Sequence, residues 1–450
     1  IGSPLLSFLL CSLCTPLQPI NQDINTTIVF YTVCFVQSCF YQLEIICSNF
    51  TGGFILCKKF LAFVLSIVVL FALVFELCPR KFQEIDLSTG AGISKMLRYE
   101  NAQVYMLGEV HRKVEYQQFR NALFKYLVEK KGVRVLLMEH GYASGFLENE
   151  TVQNRLSFSD EYGYNQFIVS KEDYELFQWM SEFNQNRPDR DKISIVGIDI
   201  TDSIGTVYAF CRYLLKDCDF SAADIKTQML LISTQKCQFQ QRFENSLLPQ
   251  LIELYQTNPE KLELALGDKA IHLERVLQGW QQGQECYELN NHQPDLQLDG
   301  PAVAYREDAL YANLRQVYQA NPTAKYFGSF GAAHVQMENY VEKEGLSRIN
   351  NSFVSRMAEK NSFLDGKLSV IDGAVTQAIG DLGGSDTNRV TLYNTALAKN
   401  PVSESGKFYT EAPDTPDKKI AQYVLLFEHP FQVTTSREQQ GRYWRSQTEE

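Results

Sequence analysis

The chain has 450 residues, 45% of them hydrophobic and 21% charged, with a formal net charge of −11. Residues 1–80 balance Lys58, Lys59 and Arg80 against Asp23, Glu44 and Glu76, so the acidic excess lies wholly in 81–450. An acidic body has no surplus of cations to neutralise phosphates, which excludes a nucleic-acid-binding protein and leaves a small-molecule substrate as the expected partner.

The first 80 residues differ from the rest. Residues 1–57 are apolar and Cys-rich, contain no Met, and read either as a second hydrophobic hairpin around 28–41 or, the preferred reading, as a leader that is not part of the native product, so the Asn25 sequon carries no weight; Cys11 and Cys14 form a C-x-x-C pair without a second pair at zinc spacing. Residues 58–80 follow two lysines with "FLAFVLSIVVLFALVF". That is the charge-then-apolar order of a signal peptide or signal anchor. The protein is therefore expected to be exported, in the periplasm, outside the cell or anchored to the membrane through this segment. Seven of the eleven cysteines lie before residue 79, so no disulfide framework is expected in the body.

From residue 100 the hydrophobic period alternates. "VYML" at 104–107 reads as a buried strand, and 114–131 places Tyr116, Phe119, Leu123, Tyr126 and Leu127 at helical spacing up to Gly132. A strand is predicted at 133–139, then a polar stretch, a helix at 171–187 stopped by Pro188, and a strand at 193–199. Residues 202–290 read as helical throughout and predict an insertion forming a cap over the sheet. A turn-rich joint at 290–302 precedes a helix at 305–320, a strand at 325–330, and short strands near 368–377, 389–394 and 421–428. The implied fold is α/β: a mostly parallel sheet flanked by helices.

In such a sheet, ligands bind beyond the carboxyl ends of the strands. The predicted strands end at Gly108-Glu109-Val110-His111, at Glu139-His140, at Gly197-Ile198-Asp199 and at Gly331-Ala332-Ala333-His334. His111 is the candidate general base, because an imidazole can take a proton from water near neutral pH. Glu139 is the candidate partner that polarises the water or holds the histidine. Glu109 binds substrate or braces the turn. His334 is a second acid/base, an oxyanion donor or a metal ligand. Arg306 clamps a carboxylate, stabilises an oxyanion, or makes a helix-start salt bridge; Asp199 orients a histidine or caps the turn. His140 faces away from Glu139 if the strand continues. His272 lies on a solvated helix face or reaches into the site from the cap, and His292 and His429 have no supporting context. No Gly-x-Ser-x-Gly elbow and no phosphate-binding glycine loop is present.

Residues 104–340 resemble the erythromycin esterase family. Its Gly-Glu-x-x-His-Gly hallmark, helix and Glu-ending strand are similar to "LGEVHRKVEYQQFRNALFKYLVEKKGVRVLLMEHG". "LFQWMSEFNQ", "ISIVGIDI" and "YREDALYANLRQVYQANPTAKYFGSFGAAHV" follow in the family's order. The hallmark here is one residue shorter, Arg112 stands where the family has glycine, and His334 lacks a preceding His-Asn. The shorter Gly-Glu-Val-His is closer to the haem-binding ChaN-like and the Tiki/TraB groups of the wider superfamily. The resemblance implies an exported hydrolase that activates water with His111 and Glu139 to cleave an ester or related acyl bond, with Glu115 added to Arg306 and Asp199 as substrate-binding candidates. Its alternatives are a haem- or iron-compound-binding protein, or a metal-dependent hydrolase or protease holding a divalent ion such as zinc on His111, Glu139 and His334.

Overall fold

The computed structural model describes residues 80, 82–111, 113–157, 170–200, 202–293, 300–337, 349–373, 389–394 and 421–426. The chain divides into two units, Ile1–Pro79 and Arg80–Glu450, and every described residue falls in the second. The expected leader segments, Arg112 and His429 lie outside the described residues.

Eight strands form one sheet in the order β1-β7-β8-β6-β2-β5-β3-β4. They are β1 (Phe82–Asp86), β2 (Val104–Glu109), β3 (Val135–Gly141), β4 (Ser194–Asp199), β5 (Tyr326–Gly331), β6 (Leu368–Asp372), β7 (Arg389–Asn394) and β8 (Tyr423–Leu426). The central pairs β2·β5, β2·β6, β3·β5, β3·β4 and β6·β8 are parallel, whereas β7 runs antiparallel to both β1 and β8. The fold class is α/β with a mostly parallel sheet, as the alternating pattern implies.

The period of two along the strands sorts side chains to two apolar layers. Tyr105 and Leu107 of β2, Leu136 and Met138 of β3 and Phe327 of β5 share one core with Phe119 and Leu123 of helix α2 (Val114–Tyr126), which follows the short helix α1 (Ile93–Leu97). Val104, Met106, Val135 and Leu137 share the opposite core with helices from the second half of the chain. Burying each such side chain contributes about 1.5–3 kcal/mol, which pins the register of both central strands. A one-residue slip would put every one of them on the wrong face.

The stretch after residue 139, expected to be polar and irregular, contains helix α3 (Tyr142–Val152). Its sequence, YASGFLENETV, hides the helix because Ser144, Glu148, Glu150 and Thr151 are buried along with Leu147. Polar residues satisfied inside the fold erase the helical hydrophobic period. Helix α4 (Lys171–Asn184) begins on Ser170, whose hydroxyl accepts from the Asp173 N–H.

Residues 204–289 are helical, as expected: α5 (Ile204–Leu215), α6 (Ile225–Gln235), α7 (Leu248–Thr257), α8 (Pro259–Leu266) and α9 (Ala270–Leu289), with short turns between. They hold a core of their own around Phe210, Leu231, Phe243, Leu251 and Leu273, which meets the sheet through Ala143 and Leu147 of α3. The end of α9 places Cys286 against Ile200, just past β4, and against Ala302 and Ala309 of α10 (Pro301–Ala320). Leu310, Leu314 and Tyr318 of α10, with Phe353 and Met357 of α11 (Phe353–Ala358), cover the second face of the sheet. Cys211, Cys218, Cys237 and Cys286 are all free thiols, and no helix among the described residues is long and apolar enough to cross a membrane.

Candidate functional site at the strand ends

Six of the seven sequence-derived candidates meet beyond the carboxyl ends of β2, β3, β4 and β5. Glu109 closes β2 on the same side as Tyr105 and Leu107, and His111 follows two residues on. Its Nδ1 lies 3.3 Å from Glu109 Oε1. The other Glu109 oxygen accepts from the Ser329 hydroxyl of β5 at 2.5 Å. Glu109 is thus a brace for the histidine. Burial pushes its carboxyl pKa up, but the His111 hydrogen bond, the charge of Arg120 and the Ser329 hydroxyl outweigh burial and hold it at about 2. Arg120 is a buried cation on α2, bonded to Asp173 Oδ1 at 2.7 Å and to Asn121 Oδ1 at 3.0 Å.

Glu139 approaches from the opposite face of β3 and stands between the two histidines. Its Oε2 accepts from the Gly331 N–H at 2.6 Å and lies 3.7 Å from His111 Nε2. Its Oε1 accepts from Arg306 Nη2 at 3.0 Å and lies 3.4 Å from His334 Nε2. Gly331 makes this approach possible, since a Cβ there would sit 2.7 Å from His111 Nε2. The His111 pKa is raised by the Glu109 hydrogen bond, against the downward pull of burial, with the Glu139 charge adding to the rise and Arg306 opposing it. The His111 side chain is 57% exposed, while those of Glu109 and Glu139 are 13% exposed.

Arg306, in the second turn of α10, anchors the far side. Its Nε donates to Asp199 Oδ1 at 3.0 Å, Nη2 bonds the second Asp199 oxygen, and Nη1 lies 3.4 Å from His334 Nε2. Both alternatives read for Asp199 are resolved by these contacts. It caps the turn after β4 by accepting from the Ile200 N–H at 2.7 Å, and it holds Arg306; it does not hydrogen-bond a histidine. Burial alone would raise the Asp199 pKa, but the Arg306 guanidinium holds it below the usual carboxylate range. The same partnership keeps Arg306 charged despite burial.

His334 is buried and turns Nδ1 onto Glu307 Oε1; Glu307 Oε2 in turn accepts from the Phe353 N–H at 2.6 Å. With Nδ1–H donating to the Glu307 carboxylate, Nε2 is the nitrogen that can accept from Arg306 Nη1. Glu115 is buried in the first turn of α2, where the helix dipole favours a carboxylate.

The expected metal donors do not fit a divalent ion. Glu139 separates His111 from His334, and the Arg306 guanidinium already supplies the cation that Glu139, Asp199 and His334 face. Among the described residues no group of three or more His, Cys, Asp or Glu is arranged to hold a metal.

Several participants were not legible in the sequence. Glu307 and Ser329 carry no motif, and Arg120 sits mid-helix among apolar neighbours. The one available signal was a charge at a position helical spacing assigns to the core. His140 turns from Glu139 to Glu148, at 3.1 Å. His272 is half-buried: its Nδ1 meets the Tyr142 hydroxyl at 2.7 Å, and its ring packs on Phe146. His292 sits in an exposed turn against Tyr287.

No protein-family model matches the chain, and no curated protein matches it in sequence. Solved structures do. A Bacillus cereus protein aligns over 78% of this chain and 95% of its own, at 15% identity and a TM-score of 0.51. The likeness is one of fold alone. An erythromycin esterase, EreC, captured as a His-to-Asn mutant in its open conformation, aligns over 79% of this chain and 99% of its own, at 13% identity and a TM-score of 0.48. A succinoglycan biosynthesis protein aligns over 76% and 91%, at 16% identity and a TM-score of 0.49.

Proposed function

We propose that the chain hydrolyses an ester or related acyl bond, with His111 as the general base. The observation that carries this reading is a solvent-exposed imidazole held between two carboxylates, with Nδ1 3.3 Å from Glu109 and Nε2 3.7 Å from Glu139. Glu109, ionised down to about pH 2, accepts a hydrogen bond from Nδ1–H and so leaves the Nε2 lone pair facing outward. The Nε2–Glu139 separation of 3.7 Å is longer than a hydrogen bond. A water molecule lodged there donates to both and turns its own lone pairs to the substrate carbonyl. As that water attacks, its proton passes to His111 Nε2, and the same proton is then delivered to the leaving alkoxide. Arg306 supplies a fixed positive charge beside the developing oxyanion, already oriented by Asp199. His334, fixed by Glu307, positions the guanidinium from the opposite side.

Export through the 58–80 segment belongs to the same proposal, and cell fractionation tests it. The activity is tested by assaying the purified protein and its His111→Gln variant on p-nitrophenyl esters of increasing acyl length. Hydrolysis by the parent alone is the expected result; equal turnover by both, or by neither, sinks the reading. A haem absorption band in the purified protein would point to ligand binding at this edge instead.

A further inference from the structure

Strand β5 carries a hydroxyl where its surroundings call for an apolar side chain. In YFGSFG, Ser329 stands opposite Leu107 of β2 and Met138 of β3, and both of these belong to the apolar core on one face of the sheet. A hydroxyl buried in such a place is unfavourable unless it is hydrogen-bonded. Ser329 is buried, and among the described residues its hydroxyl bonds only Glu109 Oε2, at 2.5 Å. The Glu109 carboxylate is therefore what makes a serine tolerable at the centre of the sheet.

The strand register supplies the reach. Glu109 pairs with Gly331, so Ser329 stands diagonally across from it on the same face. From there it holds one carboxylate oxygen and leaves the other, Oε1, turned to His111 Nδ1 at 3.3 Å. Other charges surround the pair: Arg120 of α2 acts on Glu109, while Glu139 of β3 and Arg306 of α10 act on His111. The two arginines hydrogen-bond elsewhere, Arg120 to Asn121 and Asp173, Arg306 to Asp199 and Glu139. His111 aside, Ser329 is thus the one side chain among the described residues that hydrogen-bonds this carboxylate. Two residues along the same face, Gly331 leaves the imidazole the space of a missing side chain, since a Cβ there would sit 2.7 Å from Nε2.

A neutral imidazole carries its proton on either nitrogen, and the hydrogen bond that one nitrogen makes decides which. A carboxylate free to turn presents either oxygen, or neither, to Nδ1; one pinned through its second oxygen presents a single fixed acceptor. We propose that Ser329 is a positioning residue that sets the tautomer of His111: by holding Glu109 from the neighbouring strand, it keeps the proton on Nδ1 and the lone pair on Nε2. Ser329 acts through Glu109 and not on the substrate. The use of that lone pair in catalysis rests on the hydrolase reading; the tautomer rests on the contacts of Ser329 and Glu109 alone.

Solid-state NMR of the ring nitrogens tests it, on the full chain with isotopically labelled histidine and at a pH where the imidazole is neutral. The His111 signals are those that vanish in His111→Gln. The parent is expected to show a protonated Nδ1 and a bare Nε2. Ser329→Ala is expected to add a second pair of signals from the form protonated on Nε2. Alanine is smaller than serine and leaves the His111–Glu109 contact in place, so the folded variant is available for the measurement. A parent protonated on Nε2 overturns the proposal by itself, whatever the variant does. A Ser329→Ala protein that keeps the parent's signals alone also overturns it, because a serine that merely satisfied the core would alter stability and leave the tautomer unchanged. Ester hydrolysis by Ser329→Ala is expected to fall about tenfold in kcat with KM unchanged. A parent that hydrolyses no ester sinks the hydrolase reading, while the ring-nitrogen signals still decide the role of Ser329.

Discussion

Two histidines stand at the carboxyl ends of β2 and β3, which flank β5, each paired with a carboxylate, yet their surroundings differ. His111 meets Glu109 with 57% of its side chain in solvent, and its free nitrogen looks across to Glu139. His140 meets Glu148 at 3.1 Å with 33% and 0% of their side chains exposed. Burial pushes the His140 pKa down, but Glu148, with Asp173 and Asp202 farther off, overrides it and raises the value to about 9. Near neutral pH His140 is therefore a fixed cation compensating a buried carboxylate, while His111 has an open nitrogen and somewhere to pass a proton. Residue type and sequence setting are alike for the two. In the proposed mechanism, exposure of the side chain is what separates the general base from the structural histidine.

The comparison can be broken most directly at His111. Its replacement by glutamine is expected to lower kcat for ester hydrolysis by about 10²–10⁴-fold, the usual worth of a general base, with the thermal midpoint unchanged. A variant that retains turnover would make the two histidines equivalent. Arg306→Met is expected to cost about 3–5 kcal/mol in denaturant unfolding, because it strands Asp199 as an uncompensated buried charge. Unchanged stability there would show that Asp199 is satisfied by the turn alone.

His140→Gln tests the other side. It is expected to cost about 1–3 kcal/mol of stability by leaving Glu148 buried beside a weaker partner, with hydrolysis retained. Because the folded pKa of His140 lies above the unfolded value of about 6.5, this stabilisation is complete below pH 6.5 and fades as the pH rises through about 9. Unfolding curves of parent and variant should therefore converge at alkaline pH, and a constant gap would remove the charge from the account. The hydrolysis rate should follow the unprotonated form of His111, so its acid limb should fall above the ordinary histidine pKa. An acid limb well below about 6.5 would contradict the Glu109 brace. The smallest change, Gly331→Ala, pushes a methyl against His111 Nε2 and should reduce kcat by about tenfold while the fold persists.

Much of the scaffold was legible before any coordinates. The apolar runs at 104–107, 133–139, 193–199 and 325–330 are strands because two-sided burial demands unbroken hydrophobic sequence, and their order forces a parallel sheet. That order also delivers Glu109, His111, Glu139, Asp199 and His334 to one edge. Helix α3 was hidden because its buried polar residues break the period, and the antiparallel β7 because a short strand does not announce its direction.

The sequence alone determined which strands end in ionisable residues, since strand ends follow from local hydrophobicity. It could not determine which residues pair across them. Adjacent positions Glu139 and His140 leave β3 on opposite faces, one toward Arg306 of α10 and the other toward Glu148 of α3. Those partners lie 167 residues away and 8 residues away, so their meeting is fixed by helix packing on the finished sheet. Only the tertiary structure decided that the Arg306 guanidinium stands among these carboxylates, because charge compensation depends on distances that local sequence does not encode.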